Sequence, residues 1–152
     1  MNGRWVAVLG GAALVAVIVS GCSGASKTNQ GAPGSGAASI VKVVVDGKPR
    51  HVENHVECVT AANMVFANVG SDQDRIAATL SEGDNPRLIS LVLGAVDEVP
   101  LMYNDSNGDP RPTVTKTGST YTIVGTATGP SPAGGGNMSE PFDLEFTCPP
   151  RS

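Results

Sequence analysis

Cys22 is the residue of this chain whose setting points most directly to chemistry. It ends the run Val19-Ser20-Gly21-Cys22, an aliphatic residue, two small residues and a cysteine, at the close of an uncharged apolar segment. That order matches the bacterial lipobox. A thiol delivered there to the membrane surface is alkylated with diacylglycerol, and a membrane peptidase then cuts between Gly21 and Cys22. Small side chains at Ser20 and Gly21 let the backbone enter the peptidase cleft in extended form. The other reading is a signal peptide that happens to end near a cysteine. On the lipobox reading, Cys22 carries the lipid and becomes the first residue of the mature chain.

The cysteine count fits the lipobox. Three cysteines in an exported chain leave one unpaired. With Cys22 acylated, Cys58 and Cys148 form an even pair that an oxidising exterior favours as a disulfide. Two separate buried thiols are the alternative.

Other constellations carry less. His51 and His55 in "HVENH" would share one face of a helix, but the alternation around them reads as a strand. On a strand they stand roughly 13 Å apart, too far for two imidazoles on one metal ion. The order is also neither H-E-x-x-H nor H-x-x-E-H. "NDSNGDP" has the look of a calcium loop, yet the positions for the first and twelfth ligands fall on Tyr103 and Val114. A hairpin turn at Asn107-Gly108 is the simpler reading. "GPSPA", Gly129 to Ala133, sets Ser131 between two prolines, which a strained nucleophile elbow does not allow. No metal site, cofactor site or catalytic group is expected, and the chain reads as a non-enzyme.

The elements around these residues begin with an export signal. Arg4 gives the N-terminus a positive charge, and Trp5 to Val19 runs without one. As a helix that run spans only about 22 Å, short of the roughly 30 Å of a bilayer's hydrocarbon. Residues 1–21 therefore read as a signal peptide, and the lack of a twin arginine points to the general secretory route. Residues 22–39 follow as the lipidated cysteine and a Gly/Ser-rich tether with too few apolar groups to fold. Its root-mean-square reach is roughly 20–25 Å. Ser26, Thr28 and Ser35 offer hydroxyls for O-linked sugar.

Residues 40–152 read as one β domain. Glycine (19) and proline (11) are frequent and aromatics make up 4% of the chain, which suits short strands, many turns and a core of Val, Ile, Leu and Ala. The formal charge is −4, with the basic residues scattered. That excludes a phosphate-binding stripe, and with it nucleic acid, and leaves no polybasic patch for anionic lipid. Period-two alternation marks strands at "IVKVVV", "HVENHVECV", "MVFANV", "RIAATL", "LISLVLGAV", "VPLMY", "TVTKTG", "STYTIVGTATG" and "PFDLEFTC". In the second of these, Val52, Asn54, Val56 and Cys58 share one face. "SDQDRIAATL" also admits a one- or two-turn helix opened by Ser71. The expected fold is all-β, an antiparallel sandwich or open barrel of about eight short strands.

Taken together, the lipobox, the tether and a two-cysteine β domain resemble the mycobacterial LpqH-type lipoprotein antigen family. The resemblance is carried by "VVVDG" (43–47), "VECVTAANM" (56–64), "IAATLSEGDNP" (76–86), "YTIVGTATG" (121–129) and "FDLEFTC" (142–148), and it extends over nearly all of the mature chain. It places Cys58 and Cys148 at the family's cysteine pair. It implies an acylated protein anchored on the outer side of the cell membrane and sensed by host Toll-like receptors through its lipidated N-terminus. It implies no enzymatic activity. In that family the tether is threonine-rich and O-glycosylated; here Thr28 stands among serines. A second reading gives the β domain an apolar or glycolipid ligand held between its strands.

Overall fold

The computed structural model describes residues 40–96 and 99–150, so the leader, Cys22 and Thr28 lie outside the described residues. Ten strands follow one another: β1 (Val41–Val45), β2 (Lys48–Arg50), β3 (Val56–Ala61), β4 (Met64–Val69), β5 (Ile76–Ser81), β6 (Leu88–Val96), β7 (Val99–Asn104), β8 (Thr113–Thr117), β9 (Thr120–Pro130) and β10 (Asn137–Thr147). They form a single antiparallel sheet in the order β2-β1-β10-β9-β7-β6-β5-β4-β3, with β8 on β9. The sheet is curled into a half-barrel, which realises the open-barrel alternative.

The alternation read from the sequence sorts residues to the two faces. Val43 and Val45 of β1, Phe142, Leu144 and Phe146 of β10, Tyr121 and Ile123 of β9, and Leu101 and Tyr103 of β7 are buried inside the curl. Ile76, Ala78 and Leu80 of β5 face Val65, Ala67 and Val69 of β4 with the same parity. Two irregularities let the sheet bend. The register of β5 on β6 slips beside Leu80, so buried positions change from Leu88 to Leu91 and Leu93. A second slip falls between Val92 and Ala95, where Gly94 has φ +52°, the left-handed residue of a bulge. β9 then changes neighbour, pairing with β8 through Val124 and with β7 at Thr128. At that junction a Cβ on Gly125 would lie 2.7 Å from the Pro112 ring, so only glycine fits.

The disulfide fixes how far the curl goes. β3 and β10 are six places apart in the sheet, roughly 29 Å in a flat sheet at about 4.8 Å per strand. Cys58 and Cys148 nonetheless bring their Cα atoms to 5.6 Å. β3 is thus tied back to the end of β10, opposite the stacked pair Tyr121–Phe146, whose rings are 5.4 Å apart.

Several local expectations are revised. Of the "HVENHVECV" segment only residues 56–59, the start of β3, are strand. Residues 51–55 carry the chain between β2 and β3, the two opposite edges of the sheet, and a tight turn with His55 N donating to Glu53 O at 2.8 Å breaks the ladder. Val52 still packs against the core, so its alternation was real although its strand is not. Of the ambiguous "SDQDRIAATL" stretch, Asp72–Asp74 is a single 3-10 turn and Ile76–Ser81 is strand. Asn107-Gly108 is not a hairpin turn: Asp105–Asn107 is a 3-10 turn closed by Gly108 in the left-handed region, and β7 and β8 pair with β9 rather than with each other. The two-residue β1–β2 turn uses Asp46-Gly47 with positive φ at both, and the β3–β4 turn does the same with Ala62-Asn63.

Two stability measurements follow. Replacing Cys58 and Cys148 together by serine removes a link of 90 residues' separation, and urea unfolding should lose about 4–5 kcal/mol; a loss under about 1 kcal/mol would contradict the closing role given to the bond. Ala62 at φ +51° carries a Cβ in the left-handed region, so Ala62→Gly should raise the urea midpoint, by about 0.5–1 kcal/mol in stability.

Candidate functional site

The anchor chemistry expected of Cys22 lies before the described residues, but the structure gives the point where that segment joins the domain. Ile40 is the first described residue, and its carbonyl accepts from Thr147 N at 3.1 Å. The chain therefore enters the sheet on an inner strand, β1, directly beside Cys148. Gly21, Cys22 and Thr28 lie outside the described residues.

At this disulfide end a groove of about 210 Å³ opens, walled by Cys58, Thr60 and Val65 on one side and Ser119, Cys148 and Pro149 on the other. Lys116 and Tyr121 also line it. Lys116 Nζ donates to the Gly83 carbonyl at 3.2 Å and stands 5.7 Å from the centre of the Tyr121 ring, within cation–π range. Cys148 N donates to Ser119 O at 2.9 Å, and the hydroxyls of Thr120 and Thr147 pair at 2.9 Å. Lys116 and Tyr121 were not singled out from the sequence. Both sit in ordinary alternating strands, and nothing local marks them as neighbours of a disulfide.

The other groups considered in the sequence do not converge. His51 borders a space of about 20 Å³ between β1–β2 and β5–β6, the room of a single water. His55 instead meets Glu57, Nε2 to Oε1 3.5 Å, at the exposed surface. Glu53 is held by the Ser71 hydroxyl. Among the described residues no three His, Cys, Asp or Glu side chains are grouped to hold a metal ion. In "NDSNGDP" the Asp105 carboxylate is engaged by Arg111, Nε to Oδ1 3.0 Å, and accepts from the Tyr103 hydroxyl at 3.4 Å. Burial first, and Asp105 second, push the Tyr103 phenol above its usual 10. Asp105 thus ties Arg111 and the Tyr103 hydroxyl together at the end of β7. Ser131 lies in a backbone turn, its N donating to Gly136 O and its carbonyl accepting from Gly134 N.

The chain has clear relatives. Residues 34–148 match the family described as Mycobacterium 19 kDa lipoprotein antigen. The lipoprotein LpqH of Mycobacterium tuberculosis is 42% identical over 157 residues, covering 97% of this chain and 98% of the relative. LpqH of Mycobacterium bovis is 42% identical over the same span, and that of Mycobacterium avium is 33% identical over 162 residues, 97% of this chain and 99% of its own length. The matched span holds both disulfide cysteines and every strand of the half-barrel. With that coverage the chain belongs to the mycobacterial 19 kDa lipoprotein antigen family.

Proposed function

We propose that the chain is a non-enzymatic envelope lipoprotein, cut between Gly21 and Cys22, acylated on Cys22 and held on the outer side of the cell membrane. The observation that carries this reading is the bond between Cys58 and Cys148. It consumes the other two of the chain's three cysteines and leaves Cys22 as the one thiol available for lipid. The Val19-Ser20-Gly21-Cys22 run supplies the chemistry, and the family supplies the setting.

The physical arrangement is consistent with an anchor. One acyl chain holds a protein to a bilayer only marginally, whereas two or three on one cysteine, each buried methylene contributing about 0.8 kcal/mol, hold it stably. The domain contributes no basic stripe of its own. The tether then sets its freedom, with a reach of roughly 20–25 Å, and Thr28 is its candidate O-glycosylation site. As an antigen, the protein would present two separate surfaces: the acylated N-terminus, sensed by host Toll-like receptors, and the half-barrel. Neither the 20 Å³ inner space nor the mixed, open groove beside the disulfide supports the reading of an apolar or glycolipid ligand.

Cells grown with a clickable fatty acid should label the wild-type protein, and Cys22→Ala should abolish the label while Cys58→Ser keeps it. Label that survives Cys22→Ala would refute the anchor.

A further inference from the structure

The outer face of the half-barrel is unusual in its charge. On β4 to β9 every outward-pointing residue described is uncharged, made up of threonine, serine, asparagine, alanine, proline and a few large apolar groups. Charged outward residues of the flanking strands, Glu57 on β3 and Asp143 and Glu145 on β10, frame it. Phe66 (37% exposed), Val92 (38%) and Met102 (50%) occupy its middle, with Val59 (60%) and Val124 (49%) toward its sides. These are neighbours across the ladder: Val59 opposes Phe66, and Val92 opposes Met102.

We propose that this face is where two copies of the chain meet, sheet against sheet, with Phe66, Val92 and Met102 at the centre of the contact. The choice of a second copy rests on charge. The chain has a net charge of −4, so two copies approaching by most faces bring like charges together. This face lets them meet with charged groups only at the rim, Glu57 beside Val59 and Asp143 opposite Val124. Charge depletion with Met and aromatic residues at the centre is the composition of a protein–protein contact. A bilayer is the poorer partner, because the face has no lysine or arginine to meet anionic headgroups. A contact made by one patch with itself is isologous and closes as a dimer.

The size of the face sets the strength. The five strands that run side by side, β9, β7, β6, β5 and β4, about 4.8 Å apart and with three outward residues about 6.8 Å apart on each, give roughly 500 Å². A standard stable contact uses about 800 Å² per partner. The face is also convex, so the central strands meet first. The dimer is therefore a reversible one that forms with concentration, and it does not alter the fold of either copy.

Sedimentation equilibrium of the full chain in density-matched detergent, with far fewer chains than micelles, measures the association. A dimer should appear below about 1 mM. Met102→Lys and Val92→Lys, both at exposed positions, should each weaken it by about tenfold or more, and Lys42→Ala on β1 should leave it unchanged. The methyl NMR signals of Met64 and Met102 should shift with protein concentration, while that of Met138, which packs toward the core of β10, stays fixed. A chain that stays monomeric to about 1 mM, or methyl shifts that appear only when lipid vesicles are added, would overturn the proposal. So would a dimer that survives both lysine variants.

Discussion

The bond between Cys58 and Cys148 is the constraint on which the rest of the domain depends. A ten-strand antiparallel sheet of mostly short strands has two exposed edges and one apolar face, and left flat it would bury neither. Tying β3 back to the end of β10 makes the sheet its own partner. The apolar residues of β1, β4 to β7, β9 and β10 then meet across the curl instead of needing a second sheet or a helix. The covalent link matters the more because the domain is small and poor in aromatics: the buried rings are Tyr103, Tyr121, Phe142 and Phe146, and the remainder of the core is aliphatic.

Everything else at that end is organised around the same closure. The stacked Tyr121–Phe146 pair, the Cys148–Ser119 hydrogen bond and the Lys116 bridge to Gly83 all hold the β8–β9 hairpin, the C-terminal segment and the β5–β6 turn together. The segment leading to the proposed lipid anchor joins the domain there too, at Ile40 against Thr147. A pull from the membrane would thus be taken up by β1, whose first residues, Val41 and Lys42, pair with β10 and whose Val43–Val45 also pair with β2, next to the covalent bond.

Much of this was legible in the sequence, because alternation is a local signal. The strands around β1, β4, β5, β7, β9 and β10 follow from local patterning, and "PFDLEFT" shows the two faces within seven residues; outward apolar residues such as Phe66, Met102 and Val124 do not declare their face in the sequence. The pairing of Cys58 with Cys148 was expected from counting once Cys22 is set aside for lipid, with two separate thiols as the alternative, and the structure joins them. What stayed hidden was non-local. Nothing in "HVENH" says that the chain must cross there from one edge of the sheet to the other, which is why an alternating stretch is not a strand. Asn107-Gly108 has the composition of a hairpin turn, but the next strand, β8, finds its partner in β9. Lys116 and Tyr121 gain their surroundings from the curl, which no window of neighbouring residues contains.

The functional account turns on Cys22, the cysteine the closure leaves over. Intact-mass spectrometry of the exported protein under non-reducing conditions tests it most directly. The expected species begins at Cys22, carries diacylglycerol and acyl mass on that residue, and is two hydrogens lighter than its reduced form because Cys58 and Cys148 are joined. A chain that retains residues 1–21, or a Cys22 found unmodified or in a disulfide, would contradict it.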